Sequence, residues 1–232
     1  MKGNLESRDS ATGQVSVAAY AASARQPPPL TLKRLTDVVI CLILLVVLAP
    51  VLLLVMVTVK CTSPGPILFR QQRVGRGGQL FCMYKFRTMY ADADTGVHRA
   101  YARDVIRGVA RPNGSMFKLT GDPRVTPPGQ ILRRTSLDEL PQLVNVLLGD
   151  MSLVGPRPPL PYEADLYGPK EWRRQSVAPG ITGLWQVSGR NVLTFQEMID
   201  LDLHYVEHHS FWFDLHIIVR TFLVVLACRD GA

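Results

Sequence analysis

The chain has 232 residues, which is enough for one domain with a sizeable core, or for one domain plus a membrane anchor. Its formal net charge of +7 favours anionic partners such as nucleotides and phospholipid surfaces. The Lys and Arg residues are scattered and do not alternate with aromatic residues in a basic run, so the composition argues against a nucleic-acid partner.

The cysteines and the N-terminal residues carry little structural signal. The four cysteines show no CxxC spacing, and Cys41 lies in an apolar run, so reduced cytosolic thiols are the simplest interpretation. Residues 1–30 are rich in Ala, Ser and Gln and close with Pro27-Pro28-Pro29. Because they lack the apolar segment of a signal peptide, we predict a disordered N-terminal tail over 1–30.

An uncharged apolar run, Val38–Val59, is the strongest feature of the first third of the chain. As a helix it would be about 33 Å long, enough to cross the hydrocarbon core of a membrane. Pro50 lies near its middle, where it removes a helical hydrogen bond and forces a kink. Cations such as Lys33 and Lys60 flank both ends, so both ends can lie on the cytoplasmic side. We predict a re-entrant membrane helix over 31–60, kinked at Pro50, with a single straight span as the alternative.

The rest of the chain predicts a small mixed domain. Ser63-Pro64-Gly65-Pro66 ends the apolar helix, and we place a cytosolic catalytic domain at 61–210. The segment 211–232 is predicted to be an amphipathic interface helix with a short tail, and a buried core helix is the alternative. The predicted fold class is therefore α+β and membrane-associated.

Periodicity and turn residues give the individual elements of this domain. The cluster Gly75-Arg-Gly-Gly78 is typical of a hairpin turn, and a phosphate-binding loop is the weaker alternative. Mixed charge over 90–109 predicts a surface helix. The predicted strands are 67–74 and 79–89, and the predicted helices are 90–109, 163–177 and 195–209.

The stretch Thr135–Pro158 carries the main chemical signal. It places the adjacent carboxylates of Asp138 and Glu139 shortly after Arg133 and Arg134. Acids flanked by fixed cations suit chemistry on phosphates, because the cations neutralise the substrate and a carboxylate can attack it.

The start of the helix in this stretch can be placed in two ways. Ser136-Leu-Asp-Glu139 matches a capping box, which would make Glu139 structural, but it would put Pro141 inside the helix. A helix capped by Asp138 has Pro141 in its first turn and is preferred. Asp138 would then lie beside free N–H groups that attract phosphate, with a plain N-cap as the alternative role.

Other polar residues have both a functional and a structural interpretation. Arg157 lies in the stiff turn Gly155-Pro-Arg-Pro158, and Lys85 and Arg87 follow one another on the second predicted strand, where an ordinary solvated face is the alternative. Gln186 follows an aromatic residue and could help to seat a nucleotide base, although a buried Trp185 is the commoner case.

A short histidine pattern predicts zinc only weakly. His204, Glu207 and His208 fit the H-x-x-E-H arrangement of a zinc peptidase. Such a site needs a third ligand, and only Asp214 and Asp230 follow in the chain. We therefore expect the pattern to have arisen by chance.

Several motifs together resemble the bacterial sugar transferase family, the monotopic phosphoglycosyl transferases. The resemblance runs from about Leu32 to the end of the chain and is closest to the short exopolysaccharide-initiating type, which transfers galactose or glucose phosphate. The motifs are the apolar hairpin with its central proline, Tyr84-Lys-Phe-Arg-Thr-Met89, Ser136-Leu-Asp-Glu-Leu-Pro-Gln-Leu143, Gly149-Asp-Met-Ser-Leu-Val-Gly-Pro-Arg-Pro158 and Pro179-Gly-Ile-Thr-Gly183.

The resemblance implies a two-step reaction at the cytoplasmic face of the bacterial inner membrane. The residue matching Asp138 would attack a UDP-sugar and release UMP, and undecaprenyl phosphate would then take the sugar phosphate. Mg²⁺ would lie at Asp138 and Glu139, and Glu139 would assist the metal or the protonation state of the nucleophile. This agrees with the residues, since a diphosphate needs cations around it. The substrate-binding residues that the resemblance and the residue patterns suggest are Lys85, Arg87, Arg133, Arg134, Arg157, Gln186 and, as a supporting polar partner, Asp202.

Two departures from the family pattern affect these expectations. Ala49 precedes Pro50, where the family often has serine, and Ala178 precedes Pro179, where the family usually has arginine. Any phosphate contact that the family makes with this arginine must here be absent or be supplied by Arg173 or Arg174. A non-catalytic membrane scaffold is the alternative function. The transferred sugar and a homodimer are left open by the sequence.

Overall fold

Two apolar helices meet at a sharp bend at the start of the described structure. The computed structural model describes residues 31–90, 96–109, 114–115, 118–119, 122–189 and 193–226, so the predicted tail 1–30 lies outside it. Helix α1 (Leu32–Val47) and helix α2 (Ala49–Thr62) are inclined by 65° across Leu48. Pro50 is the second residue of α2, where its missing N–H is harmless, so the proline starts a new helix. The predicted kink is confirmed.

Neither helix alone has the length and apolarity of a membrane span. Within the described ranges, α1 and α2 meet that standard only as a bent pair.

The described residues form one hairpin-based sheet, two smaller two-stranded pairs and short helices around them, so the α+β class is confirmed. Strands β1 and β2 are antiparallel, as are β3 and β4, whereas β5 and β6 are parallel. The strands are β1 (Leu68–Val74), β2 (Leu80–Phe86), β3 (Gly114–Ser115), β4 (Lys118–Leu119), β5 (Ser152–Val154) and β6 (Gly180–Thr182). The remaining helices are α3 (Gly96–Ile106), α4 (Pro127–Arg134), α5 (Gln142–Leu148), α6 (Pro161–Ala164), α7 (Pro169–Trp172), α8 (Leu184–Val187), α9 (Phe195–His208) and α10 (Phe211–Leu226).

Most predicted elements are confirmed, with one exception. The β1–β2 hairpin turns through the predicted glycine cluster, and α9 and α10 lie where they were predicted. Helix α3 is a surface helix, as predicted, and buries one face through Ala102 and Val105. The helix predicted over 163–177 was wrong: Gly168 and Pro169 interrupt it, leaving α6, α7 and a final 3-10 turn.

Polar side chains fix both ends of the α1–α2 hairpin to the same domain. At the first end, Arg34 donates to the carbonyls that close α5, and Asp37 accepts hydrogen bonds from Ser152 Oγ (2.7 Å) and the Leu153 amide (3.2 Å). At the second end, the guanidinium of Arg87 donates to the carbonyls of residues 59, 63 and 64. These carbonyls end α2 and have no helical partner of their own. Both ends of the hairpin therefore lie against the same mixed domain.

The parallel β5–β6 pair requires glycine where its strands meet. Gly155 N donates to Thr182 O (2.9 Å), and Gly180 N donates to Pro156 O (2.9 Å). A Cβ atom at Gly155 or Gly180 would collide with backbone atoms of the other segment. The close approach sets the position of the turn that follows β5 and carries Arg157.

Candidate active site

Asp138 lies in a 3-10 turn that precedes helix α5. The turn spans Leu137–Glu139 and follows Ser136, which has a left-handed backbone with φ of 57°. Pro141 is the N-cap of α5 and makes no side-chain capping bond. Neither the capping box nor the preferred Asp138 cap is formed, so both predicted helix starts were wrong. Because a left-handed residue costs about 1–2 kcal/mol without glycine, the surrounding packing must hold this turn.

Asp138 is buried beside a guanidinium. Its residue is 4% exposed, and its negative charge acts on Arg133, which is the last but one residue of α4. Burial lowers the pKa of Arg133, and the carboxylate of Asp138 opposes that shift. Arg133 Nε donates to Thr88 Oγ1 at 2.9 Å, which orients the guanidinium. Arg134, the neighbouring residue, is exposed.

Glu139 is paired with Lys85 from the neighbouring strand. The distance from Lys85 Nζ to Glu139 Oε1 is 2.9 Å, and both side chains are partly shielded from solvent. The ion pair joins strand β2 to the 3-10 turn. It therefore fixes one acid of the pair, while Arg133 is the cation beside the other acid.

Arg157 is held in place through its backbone by buried arginines. Arg73 Nη1 donates to Pro158 O (3.0 Å), and Arg174 Nη2 donates to Arg157 O (3.2 Å). The Arg157 guanidinium itself lies 3.4 Å from the buried carboxylate of Glu163. The turn Gly155-Pro-Arg-Pro158 is thus fixed on two sides, and a fixed cation loses little entropy when it binds an anion.

Arg73 is a site residue that the sequence did not identify. It is buried, and burial lowers the pKa of Arg73 to about 9, with the Arg157 guanidinium adding to the effect. The carboxylates of Glu163 and Glu139 oppose the shift. Arg73 therefore shares one electrostatic environment with Arg157 and Glu139. The sequence gives no sign that Arg73 points inward, because it follows two other polar residues in β1 and could equally lie on a solvated face of the strand.

Two predicted substrate-binding residues make structural contacts. The Arg87 guanidinium donates to the carbonyls of Ser63 and Pro64, just after α2. Asp202 is fully buried 2.6 Å from Arg174, and burial raises the pKa of Asp202 to about 6 while Arg174 opposes that shift. Asp202 contacts the site through Arg174, as expected of a supporting polar partner. Substrate binding by Arg87 stays a prediction.

Gln186 and Trp185 also differ from the predicted nucleotide contact. Trp185 is 3% exposed, which leaves no face for a base. The Gln186 amide donates to Ile181 O at 3.2 Å and lies in the wall of an apolar cavity. The missing family arginine is not replaced either: Arg173 pairs with Glu207 at the surface (2.7 Å), and Arg174 is buried.

An apolar cavity of about 320 Å³ lies beside the 3-10 turn. Its wall includes Leu137 and Glu139 from the turn and Ser136, the N-cap of the turn. Helices α1 and α10, with Leu48 at the bend, form about half of the rest. They contribute Ile40, Leu44, Leu48, Ile218, Phe222 and Val225.

The acid pair fits Mg²⁺ only together with a phosphate ligand. Among the described residues, no group of three or more His, Cys, Asp or Glu side chains is arranged to hold a metal ion. Mg²⁺ characteristically uses one or two carboxylates and completes its shell with substrate phosphates and water, which two adjacent acids can satisfy. In the weak zinc pattern, the rings of His204 and His208 stack at 4.3 Å, and Glu207 is turned to Arg173.

Comparisons with known proteins identify the family of the chain. Residues 29–228 match the family model described as "Bacterial sugar transferase". The chain is 42% identical to the galactosyl transferase CpsE of Streptococcus agalactiae, over 91% of this chain and 46% of that protein. It is 44% identical to the undecaprenyl-phosphate galactose phosphotransferase of Salmonella typhimurium, over 87% of this chain and 41% of that protein.

A third relative is matched over most of its length. The chain is 40% identical to the exopolysaccharide production protein ExoY of Sinorhizobium fredii, over 86% of this chain and 87% of that protein. By contrast, it spans less than half the length of the streptococcal and Salmonella proteins. The family model covers well over half of the chain. The chain therefore belongs to the bacterial sugar transferase family.

Proposed function

We propose that this chain transfers a sugar-1-phosphate of the galactose or glucose type from a UDP-sugar to undecaprenyl phosphate, and thereby initiates exopolysaccharide or another glycoconjugate. The observation that carries the proposal is a buried Asp138 beside a fixed arginine, in the 3-10 turn whose neighbouring residues, Leu137 and Glu139, line an apolar cavity. The name of the Salmonella relative supports the acceptor and the galactose donor. The donor is anionic, which suits the cations around Asp138. The acceptor is an anionic lipid, which suits these cations together with the apolar cavity.

The first step is an attack by Asp138. One of its carboxylate oxygens forms a bond to the β-phosphorus of the UDP-sugar, the bond from that phosphorus to the bridging oxygen breaks, and UMP leaves with the oxygen. A phosphosugar ester of Asp138 is formed. Arg133 beside Asp138 opposes the negative charge that gathers on the transferring phosphoryl group.

The second step regenerates the enzyme. A phosphate oxygen of undecaprenyl phosphate attacks the same phosphorus, and the ester bond to Asp138 breaks. The products are the diphosphate-linked sugar lipid and a free carboxylate. Lys85 and Arg157 hold the phosphate oxygens in place in both steps, since each is fixed by a carboxylate partner within 3.4 Å.

Mg²⁺ is proposed as the cofactor, held by Asp138 and Glu139 together with the donor diphosphate. When bound, it neutralises the negative charge of the diphosphate. Arginine and lysine side chains of this chain share that task. The ion pair with Lys85 would also orient the carboxylate of Glu139 for this role.

The α1–α2 hairpin is proposed to enter the cytoplasmic face of the bacterial inner membrane and return to it. Support comes from the polar contacts that fix both of its ends to one domain. Apolar side chains around the bend and on α10 face outward, where the bilayer would cover them. The most exposed ones are Val46, Val47, Leu53, Leu54, Trp212 and Leu223.

The test is Asp138→Asn, assayed with radiolabelled UDP-galactose and UDP-glucose and with undecaprenyl phosphate. We expect the parent protein to form labelled lipid, and the variant to lose about three orders of magnitude in rate or more, because the nucleophile is gone. Asp165→Asn is the matched control, since Asp165 is exposed. Transfer by Asp138→Asn at the parent rate would exclude the covalent mechanism. Lipid formation that needs a second protein and survives loss of both acids would favour the scaffold.

A further inference from the structure

The apolar cavity has the chemistry of a site for an amphiphile. Its volume of about 320 Å³ is at the lower end of ligand pockets, so it can take the beginning of a long apolar chain and no more. Among the described residues, Glu139 is the only ionised side chain in its wall, and it is already paired with Lys85. The other end of the wall consists of aliphatic side chains of α1 and α10.

Most of the remaining polar groups of the wall have partners within the protein. The hydroxyls of Thr182 and Thr221 lie 2.7 Å apart, and Thr221 Oγ1 donates to Ile217 O (2.8 Å). The Gln186 amide N–H donates to Ile181 O, whereas Gln186 Oε1 is buried and has no hydrogen-bond partner among the described residues. A ligand therefore meets a mainly apolar surface there, with one buried amide acceptor and with Glu139 on the side of the 3-10 turn. Most hydroxyls of a UDP-sugar would be left without partners in such a wall, which would weaken the binding of a UDP-sugar there.

We infer that this cavity holds the head-proximal part of the polyprenyl chain of the acceptor, with the acceptor phosphate at the Asp138–Glu139 turn. The inference rests on the proposed function, because it takes the acceptor to be undecaprenyl phosphate. The cavity lies between α1 and α10, and both helices also carry the exposed apolar surface. The distal part of the chain can therefore leave the cavity directly into the bilayer. The phosphate reaches the nucleophile without leaving the membrane interface.

The test fills the cavity without touching the acid pair. Leu44 lines the cavity, whereas Leu42 on the same helix is 50% exposed and lies outside the wall. We expect Leu44→Trp to raise the KM for undecaprenyl phosphate by about tenfold or more, because the indole ring would displace part of the polyprenyl chain from the cavity. The KM for the UDP-sugar should stay unchanged. Leu42→Trp is expected to change neither. An unchanged acceptor KM in a folded Leu44→Trp protein would overturn the inference.

A second pair of variants guards against misfolding. Ile218→Trp fills the cavity from α10, and Val219→Trp, at a position 52% exposed, is its control. If either cavity variant loses its cooperative thermal unfolding, the other decides the question. The expected pattern is the same selective rise in acceptor KM.

Photo-crosslinking separates this inference from the proposed function. An undecaprenyl phosphate analogue with a diazirine in its first isoprene units is expected to label peptides of α1 and α10, in competition with undecaprenyl phosphate. If the parent protein transfers no sugar phosphate but is labelled in this way, the proposed function fails and the lipid site stands. If a diazirine phosphatidylglycerol labels the cavity equally and undecaprenyl phosphate does not displace it, the cavity is a general lipid site and the inference fails.

Discussion

The ammonium group of Lys85 lies 2.9 Å from the carboxylate of Glu139, the residue that follows the proposed nucleophile Asp138. The pair connects a strand of the hairpin sheet with a strained turn whose preceding residue, Ser136, is left-handed. Its side chains are about one fifth exposed or less, so water weakens the pair only partly. The pair is therefore expected to matter for the geometry of the acids more than for global stability.

Lys85→Met tests this expectation. We predict that kcat/KM falls by about 100-fold, because the transferring phosphate loses a hydrogen bond from Lys85 between charged groups, worth about 1.5–3 kcal/mol. The partly exposed pair with Glu139 contributes less, so the free energy of unfolding should change by less than about 1 kcal/mol. The measurements are steady-state transfer kinetics and denaturant unfolding. A double-mutant cycle with Glu139→Gln adds a specific check. If the two losses simply add, Lys85 does not act through Glu139.

The buried ion pair of Arg174 and Asp202 is expected to dominate stability instead. Its atoms lie 2.6 Å apart, both side chains are 1% exposed, and Arg174 also binds the carbonyl of Arg157. Removing one partner of a buried pair leaves an uncompensated charge and costs about 3–5 kcal/mol. We predict a loss of this size for Arg174→Met at about pH 8, measured by denaturant unfolding, with weaker transfer because Arg157 loses a support.

The same variant should show a defined pH dependence. Burial already raises the pKa of Asp202 from 3.8 to about 6, and Arg174 is the main group that opposes the rise. Without Arg174 the folded-state pKa should rise further, so the folded protein binds more protons than the unfolded chain above about pH 4, and stability falls as pH rises. Arg174→Met should thus lie closer to the parent at about pH 5 than at about pH 8. Lys170→Met, which removes a surface pair with Asp200, is the control and should cost less than about 1 kcal/mol.

The contact between Arg87 and Gly65 is expected to hold the second end of the hairpin. Gly65 has φ of +122°, and a Cβ atom there would collide with the Arg87 guanidinium. Arg87→Met and Gly65→Ala should each lower the free energy of unfolding by about 1–3 kcal/mol, because buried carbonyls lose their donor. Their effects should not add, since both break the same contact. Gly77→Ala is the control: its φ is +64°, and no atom lies close enough to clash. Additive losses for Arg87→Met and Gly65→Ala would contradict this role.

Local sequence signals predicted the elements of the fold well where one physical cause dominates. The break at Pro50 follows from the geometry of proline, and helix α9 lies where the sequence predicted a helix over 195–209. The turn that carries Asp138 could not be predicted in this way. Ser136 adopts a left-handed backbone that no local preference favours, so tertiary packing decides it.

The direction of charged side chains was the second gap. Lys85 and Arg87 are two residues apart and would share a face of a continuous strand, but β2 ends at Phe86 and Arg87 turns to the end of α2. Arg73 and Asp202 carry charge into the interior, where composition gives no sign of burial. The sequence thus indicated candidate charged residues around the acids, and the packing decided that Lys85 contacts Glu139 whereas Arg87 contacts the end of α2.

The topology of the hairpin gives the last prediction. In the re-entrant arrangement, a cysteine introduced at Leu32, a position 65% exposed at the start of α1, and the exposed native Cys61 at the end of α2 lie on the cytoplasmic side. A membrane-impermeant maleimide should label both in inside-out vesicles and neither in intact spheroplasts, because both hairpin ends are fixed to one domain. Both proteins carry Cys82→Ser and Cys228→Ser, and Cys41 is buried. In that background Leu32→Cys with Cys61→Ser reports the first end alone, and native Cys61 reports the second. A cysteine at Val47, beside the bend, should be labelled only after detergent is added, since the bilayer covers it. Labelling of the two ends from opposite sides would show a straight span.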